Sequence, residues 1–301
     1  MNQQKIQRGI VQLAQLSIRT PHHQIVTFGL LMGLLYLPDF LRELGKATLD
    51  GSTSLFFNFG FLYLGVDRLW RNRTLLAKML PTDEERLTGY LIIFSSAALM
   101  PFCLSSISLR ALLWAVVLIG IAYSSWGVAF FKTYYLASAM ILLGLYPDWI
   151  YVLTEVWRLT TPPEYLEKLM ALGGGIALQA IGQPAIVKGI IIELPTGAVQ
   201  VGYGCNGFEM AMTVGAASLL LGLWYKQSRL NIVAMIMVGV VLALIFNIPR
   251  IMLLTFASVY WGKDSFEFWH GHWGGQIFST ILFTVYYYLV MGIVNRQTVK
   301  A

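Results

Sequence analysis

The chain has 301 residues, of which 57% are hydrophobic and 12% charged, and it carries a formal net charge of +6. A soluble domain holds about twice that charged share, so the expected class is an all-α polytopic membrane protein. The positive charge does not indicate nucleic acid, because no basic patch is interleaved with aromatic residues; Lys and Arg cluster between apolar runs, as cytoplasmic loops require.

In chain order, Met1–Arg19 is polar and basic with weak amphipathic spacing (Ile6, Ile10, Leu13, Leu16). It lacks the apolar core and small-residue cleavage site of a signal peptide, and reads as a cytoplasmic helix at the interface. Apolar runs of about 17–25 residues then predict about eight transmembrane helices. They fall near 24–41, 53–70, 88–105, 109–131, 133–152, 207–225, 231–258 and 276–295. Arg68, Arg71, Arg73 and Lys78 form the densest basic loop, with Lys226 and Arg229 forming a second. With Arg296 and Lys300 at one end and Lys5, Arg8 and Arg19 at the other, both termini are expected in the cytoplasm.

Residues 166–182 are glycine-rich and begin with charges. If they spanned, the parity between the two basic loops would fail, so they are expected as an amphipathic helix on the outer interface. Residues 190–201 read as two short strands around Pro195-Thr196-Gly197, a β-hairpin leading into the cysteine. The expected organisation is a single integral-membrane domain over 1–301. It holds an extracytoplasmic helix and hairpin at 166–204 and a catalytic half at 205–295. No repeat or P-loop is present, and the two cysteines give no disulfide framework and no metal-ligand spacing.

The orientation places three groups at the outer face. The span over 207–225 ends inside, so Cys205 at its start is outside; the next span reaches the outer half near Asn247, Pro249 and Arg250; His270 and His272 precede the last span. A thiol, a guanidinium and an imidazole are the parts needed to attack an acyl group and stabilise the resulting charge. Cys205 lies at a helix start among Gly202, Gly204 and Gly207, where the helix dipole is expected to lower its pKa toward neutrality. Cys103, near the outer end of the third span, has no such surroundings and reads as a gap-filling apolar residue. Arg250 inside an apolar run costs about 2.5–3.5 kcal/mol on insertion, so it is retained for a partner, a function, or as an anchor snorkelling to the interface. Pro249 removes a helix hydrogen bond beside it. Either histidine, with an ordinary pKa near 6.5, can accept and return a proton, although Trp261, Phe266, Phe268, Trp269 and Trp273 also fit an interfacial aromatic belt.

These motifs are where the chain resembles the exosortase/archaeosortase family, polytopic proteins with a proposed Cys-Arg-His triad at the outer membrane face. Cys205-Asn206-Gly207 fills the family's Cys-Ser-Gly or Cys-Thr-Gly step, with Asn206 in place of the hydroxyl residue. Asn247, Arg250 and Ile251 fill its Asn-x-x-Arg-Ile step. His270, Gly274 and Phe278 fill its His step, which favours His270 over His272 as the base. The motifs lie within residues 165–280, and the earlier half is similar only in hydropathy. The Asn206 step is compatible with a cyanoexosortase-like subgroup.

The resemblance implies protein sorting. Substrates would be exported proteins ending in a short motif such as Pro-Glu-Pro, a transmembrane helix and a basic tail, cleaved at the outer face of a bacterial inner membrane. Cys205 would be the nucleophile, Arg250 the oxyanion stabiliser and His270 the general acid/base, supported by Asn206, Gly207, Asn247 and Gly274. No metal or cofactor and no nucleic acid would take part; membrane lipids surround the chain. Two other classes compete: a transporter with an anion site at Arg250 in a helix broken at Asn247–Pro249, and an acyltransferase using His270 alone. Both would tolerate loss of Cys205.

Overall fold

Helices carry most of the chain, as a backbone in lipid demands, since no water is there to bond its N–H and C=O groups. The computed structural model describes residues 18–49, 54–146 and 149–298, so the helix expected over Met1–Arg19 lies almost wholly outside the described residues. Among those described, five helices are long and apolar enough to cross a membrane: Pro21–Lys46, Asp83–Cys103, Ile107–Leu145, Arg229–Trp261 and Trp273–Gly292. Phe208–Trp224 is apolar but shorter. The protein is a multi-pass helical membrane protein, with fewer clear spans than the eight expected. The chain divides into two units at residue 148.

The first unit holds α1 (Pro21–Leu49), α2 (Ser54–Arg71), the single turn α3 (Arg73–Leu76), α4 (Asp83–Leu99) and α5 (Ile107–Leu145). Thr82 starts α4 through a reciprocal capping box with Glu85. The two spans expected at 109–131 and 133–152 are instead one helical run, kinked at Gly127 (φ 68, ψ −171) and Tyr134 (φ −116, ψ 26). The kink needs no loop: Gly127 takes a conformation that side-chain-bearing residues avoid, and Glu85 accepts the freed Val128 N–H at 2.9 Å. A reading that looks for loops therefore places the boundary at polar Lys132. The run also stops at Leu145, well short of 152, and a separate helix follows. Tyr36, Phe40 and Leu44 pack against Trp114, Val117 and Ile121 to form this unit's core. Two of its buried polar side chains have internal partners: Asp39 pairs with Arg42 and Arg110, and Asn58 Nδ2 donates to the Gly144 and Tyr146 carbonyls at 3.1 and 2.8 Å.

The second unit opens with α6 (Trp149–Thr160) and α7 (Tyr165–Ala180), which covers the segment read as an interfacial helix. Leu166, Met170 and Leu178 of α7 are buried in a core shared with Ile192, Val201, Phe208, Ile251 and Leu254. Gly174 lets α7 approach closely, because a Cβ there would lie 2.7 Å from Ile251 Cγ2. Three short antiparallel strands follow in the order β1 (Ile186–Lys188), β2 (Ile191–Leu194), β3 (Gly197–Gln200). β1 is additional to the two expected strands; three residues are too few to show alternation. A 3₁₀ turn at Tyr203–Cys205 leads into α8 (Phe208–Trp224).

Ser228 caps α9 (Arg229–Phe256), which runs unbroken through Pro249. The single span expected near 231–258 thus holds, and the helix broken at Asn247–Pro249 that the transporter alternative needed is not formed: a proline costs one donor, and its neighbours Asn247 and Ile251 are buried. The register changes only later, in a π turn at Ala257–Trp261. After α10 (Lys263–His270) comes α11 (His272–Thr298), whose Leu282, Tyr286 and Val290 pack with Ala211, Val214, Met235 and Ala243.

Candidate active site

Cys205 ends the 3₁₀ turn, its N–H donating to the Gly202 carbonyl at 2.9 Å. Gly207 then takes a left-handed conformation (φ 81, ψ 0) and starts α8. Two side chains hold this turn from opposite ends. Asn206 Oδ1 accepts the Phe208 N–H at 2.9 Å while its Nδ2 donates to Glu167 Oε1 of α7 at 3.0 Å. Asn247 Nδ2 of α9 donates to the Cys205 carbonyl at 2.7 Å. The same Asn247 packs on Gly207, where a Cβ would sit 3.0 Å from Nδ2. Gly207 is therefore required twice, for its backbone and for its contact. Asn206 and Asn247 are both fully buried; the Asn206 amide is bonded at both ends, whereas Asn247 uses its Nδ2 and leaves Oδ1 without a partner among the described residues.

Asn206 thus has a defined task, capping the new helix and anchoring it to α7. Its partner Glu167 was not singled out in the sequence, where it reads only as a charge at the start of an amphipathic helix. The signal available was a carboxylate one residue after buried Leu166, which calls for a partner.

Cys205 is 9% exposed, and burial pushes its thiol pKa up; Arg250 pulls it down by a smaller amount. This corrects the expected lowering. Cys205 lies two residues before the N-cap, outside the first turn where the helix dipole is strong, and its neighbours Val201, Ile251 and Leu254 are apolar. The resting group is a neutral thiol.

Arg250 is half-buried on α9 and, among the described residues, makes no ion pair or side-chain hydrogen bond; its Nε is buried without a partner. His270 is exposed at the end of α10, its ring stacked on Phe266 with centroids 5.2 Å apart and planes at 18°. Gly271 (φ −75, ψ −168) breaks the helix after it. His270, Gly274 and Phe278 therefore do not share one continuous helix face, contrary to the four-residue spacing. Gly274 has another use: a Cβ there would collide with the Trp269 carbonyl, so its absence lets α11 fold tightly against α10. Trp269 and Phe278 close the corner with a ring contact at 6.4 Å. His272 begins α11.

A cavity of about 130 Å³ brings the groups together. Residues 199–202, Gly204 and Cys205 line it from the strand and turn; Ile251 and Leu254 from α9, and Phe266 and His270 from α10, complete it. Arg250 is not among the lining residues and acts on the thiol through its charge. Among the described residues no hydrogen bond joins the Cys205 thiol to the His270 imidazole. Cys103 lies in another 3₁₀ turn, at Met100–Cys103, and is more exposed than Cys205. No group of three or more His, Cys, Asp or Glu is placed to hold a metal ion among the described residues.

Residues 47–287 match a family model described as transmembrane exosortase (Exosortase_EpsH). No curated protein and no solved structure matches the chain.

Proposed function

Because the chain belongs to the transmembrane exosortase family, we propose that it is a cysteine transpeptidase or protease of this family, built around Cys205, Arg250 and His270. Its substrates are exported proteins carrying a C-terminal sorting signal: a short motif such as Pro-Glu-Pro, a transmembrane helix and a basic tail. The observation that carries the reading is the shared cavity of Cys205 and His270, with the unpaired charge of Arg250 acting on the thiol.

The chemistry follows from those three groups. His270 takes the proton of the neutral Cys205 thiol as sulfur attacks the scissile carbonyl, forming a tetrahedral intermediate. Because burial disfavours a standing thiolate, proton transfer accompanies the attack rather than preceding it. Arg250 stabilises the oxyanion, which an arginine lacking an internal anion is free to do. Collapse breaks the C–N bond, His270 returns its proton to the leaving amine, and a thioester remains on Cys205. An acceptor nucleophile, or water, then releases the acyl group with His270 as base. Asn247 and Asn206 hold the turn that presents the sulfur.

The charge bias supports an outer-face site with both termini inside, in what we take to be a bacterial inner membrane. The catalytic half begins at Cys205, and the helix and sheet at 166–204 lie at the outer interface. A membrane-impermeant thiol reagent should label Cys205 from outside intact spheroplasts; labelling from the cytoplasmic side alone would reverse the orientation. The transport reading loses the interrupted helix it required, since α9 is continuous through Pro249.

The deciding experiment co-expresses a tripartite-tailed substrate and follows its processing. Cys205→Ala is expected to abolish cleavage and Cys103→Ala to leave it largely intact. Normal processing by Cys205→Ala would remove the thioester mechanism altogether.

A further inference from the structure

β3 is an edge strand: the sheet order is β1-β2-β3, and β3 pairs only with β2 among the described residues. Its ladder has a readable parity. Val201 N–H donates to the Ile190 carbonyl at 2.8 Å, so the residue pairs in step with it, Val199 with Ile192 and Gly197 with Leu194, exchange backbone bonds. Ala198 and Gln200 then lie opposite Glu193 and Ile191 as non-bonded pairs, with their N–H and C=O turned away from β2. No other backbone group among the described residues takes up those bonds.

The direction of this edge is given by the cavity. Val199, Gln200, Val201 and Gly202 line it in succession, although side chains of a strand alternate between two faces. Gln200, whose N–H and C=O are turned away from β2, is among the residues that line the cavity. The same cavity holds Cys205 and His270, so the open edge leads to the thiol.

The two margins of the sheet also differ. β1 carries Lys188, ion-paired with Glu193 at 2.7 Å, and a lysine at an edge discourages pairing with another chain. β3 reads Gly-Ala-Val-Gln, with no charge and no proline. β3 packs against the π turn near Val259, but an edge with unpaired backbone groups is a liability that proteins usually cover, and here its Gln200 lines the reactive cavity.

We propose that the β3 edge is the docking strand for the substrate: the residues beside the scissile bond lie extended along Ala198–Gly202 as a fourth strand. This rests on Cys205 being the nucleophile. The bonds offered by Ala198 and Gln200 are backbone bonds, so they accept many side chains, and selectivity comes from those substrate side chains that turn toward the cavity wall at Ile251, Leu254 and Phe266. The occupant is an extended peptide and not a helix, so a membrane-anchored signal must be unwound at its cleavage point before attack.

The test uses the full-length chain in membranes, with Cys103→Ser and Cys205→Ser to remove native thiols and Gln200→Cys as the probe. A co-expressed substrate carries a single cysteine walked along the segment before its cleavage point, and disulfide adducts are scored after mild oxidation. Adducts are expected at every second substrate position, and not from Ile186→Cys on the opposite margin of the sheet. Adducts without alternation, adducts formed equally from Ile186→Cys, or no adduct at any position would overturn strand pairing. In the enzyme with its cysteines intact, Gln200→Pro deletes an N–H that no internal acceptor uses and should slow processing roughly tenfold at unchanged membrane accumulation, more than Gln200→Ala does. Wild-type processing by Gln200→Pro would also overturn it. Cys205→Ala, run in parallel, separates the two ideas: its loss of cleavage alongside a flat adduct pattern removes the docking strand and leaves the nucleophile in place.

Discussion

Arg110 and Arg250 both sit in long apolar helices, one in each unit, and their surroundings are opposite. Arg110 stands in the first turn of α5 with its side chain 12% exposed and paired with the carboxylate of Asp39. Arg250 stands near the end of α9 with no carboxylate partner among the described residues. The two cysteines make the same contrast. Cys103 and Cys205 each occupy a 3₁₀ turn beside a helix, and Cys205 shares a cavity with an imidazole and feels the charge of Arg250. In the first unit Arg110 answers Asp39; in the second, a thiol and an imidazole share a cavity and Arg250 acts on the thiol through its charge. A charge that a fold does not answer is one that a ligand must answer, because burying it otherwise has no compensation.

That contrast can be broken most sharply at the base. His270→Ala should slow processing by about 10²–10⁴-fold, the usual contribution of a general acid/base, while His272→Ala only weakens it. Activity in His270→Ala with loss in His272→Ala would reverse the assignment.

The arginines come next. Arg250→Lys keeps the charge but changes the donor geometry, and should cost about 10²–10³-fold in processing with little change in the amount of folded protein. Arg110→Leu should act the other way, destabilising by about 3–5 kcal/mol in detergent unfolding because Asp39 loses a buried partner. If Arg250→Lys works normally, Arg250 is a snorkelling anchor and the contrast between the units dissolves.

Smaller effects sharpen the picture of the turn. Asn247→Leu leaves the Cys205 carbonyl without its donor and should cost about 1–3 kcal/mol, read as a lower unfolding midpoint together with slower Cys205 alkylation. Glu167→Ala should slow processing modestly, while Glu167→Gln, which retains an acceptor for Asn206 Nδ2, should restore most of it. Equal losses in Ala and Gln would show that the carboxylate charge matters rather than the hydrogen bond.

The smallest expected effect is a shift along the pH axis. Burial disfavours the thiolate, so alkylation of Cys205 in a Cys103→Ala background should keep rising above the pH where an exposed thiol levels off. Arg250 favours the thiolate, so Arg250→Gln should move the curve to still higher pH. A curve shifted to lower pH in wild type would restore the lowered pKa expected from the helix start.

Several features were legible before the structure. Cys205, Arg250 and His270 stand out because charged and reactive groups are rare in so apolar a chain, and their order and spacing carry the family resemblance that the match over residues 47–287 bears out. Other features were hidden for identifiable reasons. Glu167 is a long way in sequence from Asn206, and nothing local couples them. Gly127 bends α5 without any loop residues, so periodicity continues across the bend. His270 and Gly274 suggest a helical repeat, but Gly271 interrupts it, and Gly274 serves a tight corner instead.

By itself the sequence determined that this is an apolar, multi-pass helical protein of the exosortase family, and which residue types are available for acyl transfer. Those properties follow from composition, charge bias and local spacing, which act over one or two turns of chain. The tertiary structure alone decided how those residues meet: that Cys205 is buried and therefore a neutral thiol, that Asn206 and Asn247 clamp its turn, and that α9 passes Pro249 unbroken. It also decided that Cys205 and His270 open on one cavity beside an unpaired strand edge. Burial, desolvation and hydrogen-bond partnership are set by residues 39 and 42 positions apart, and no local pattern in the chain encodes them.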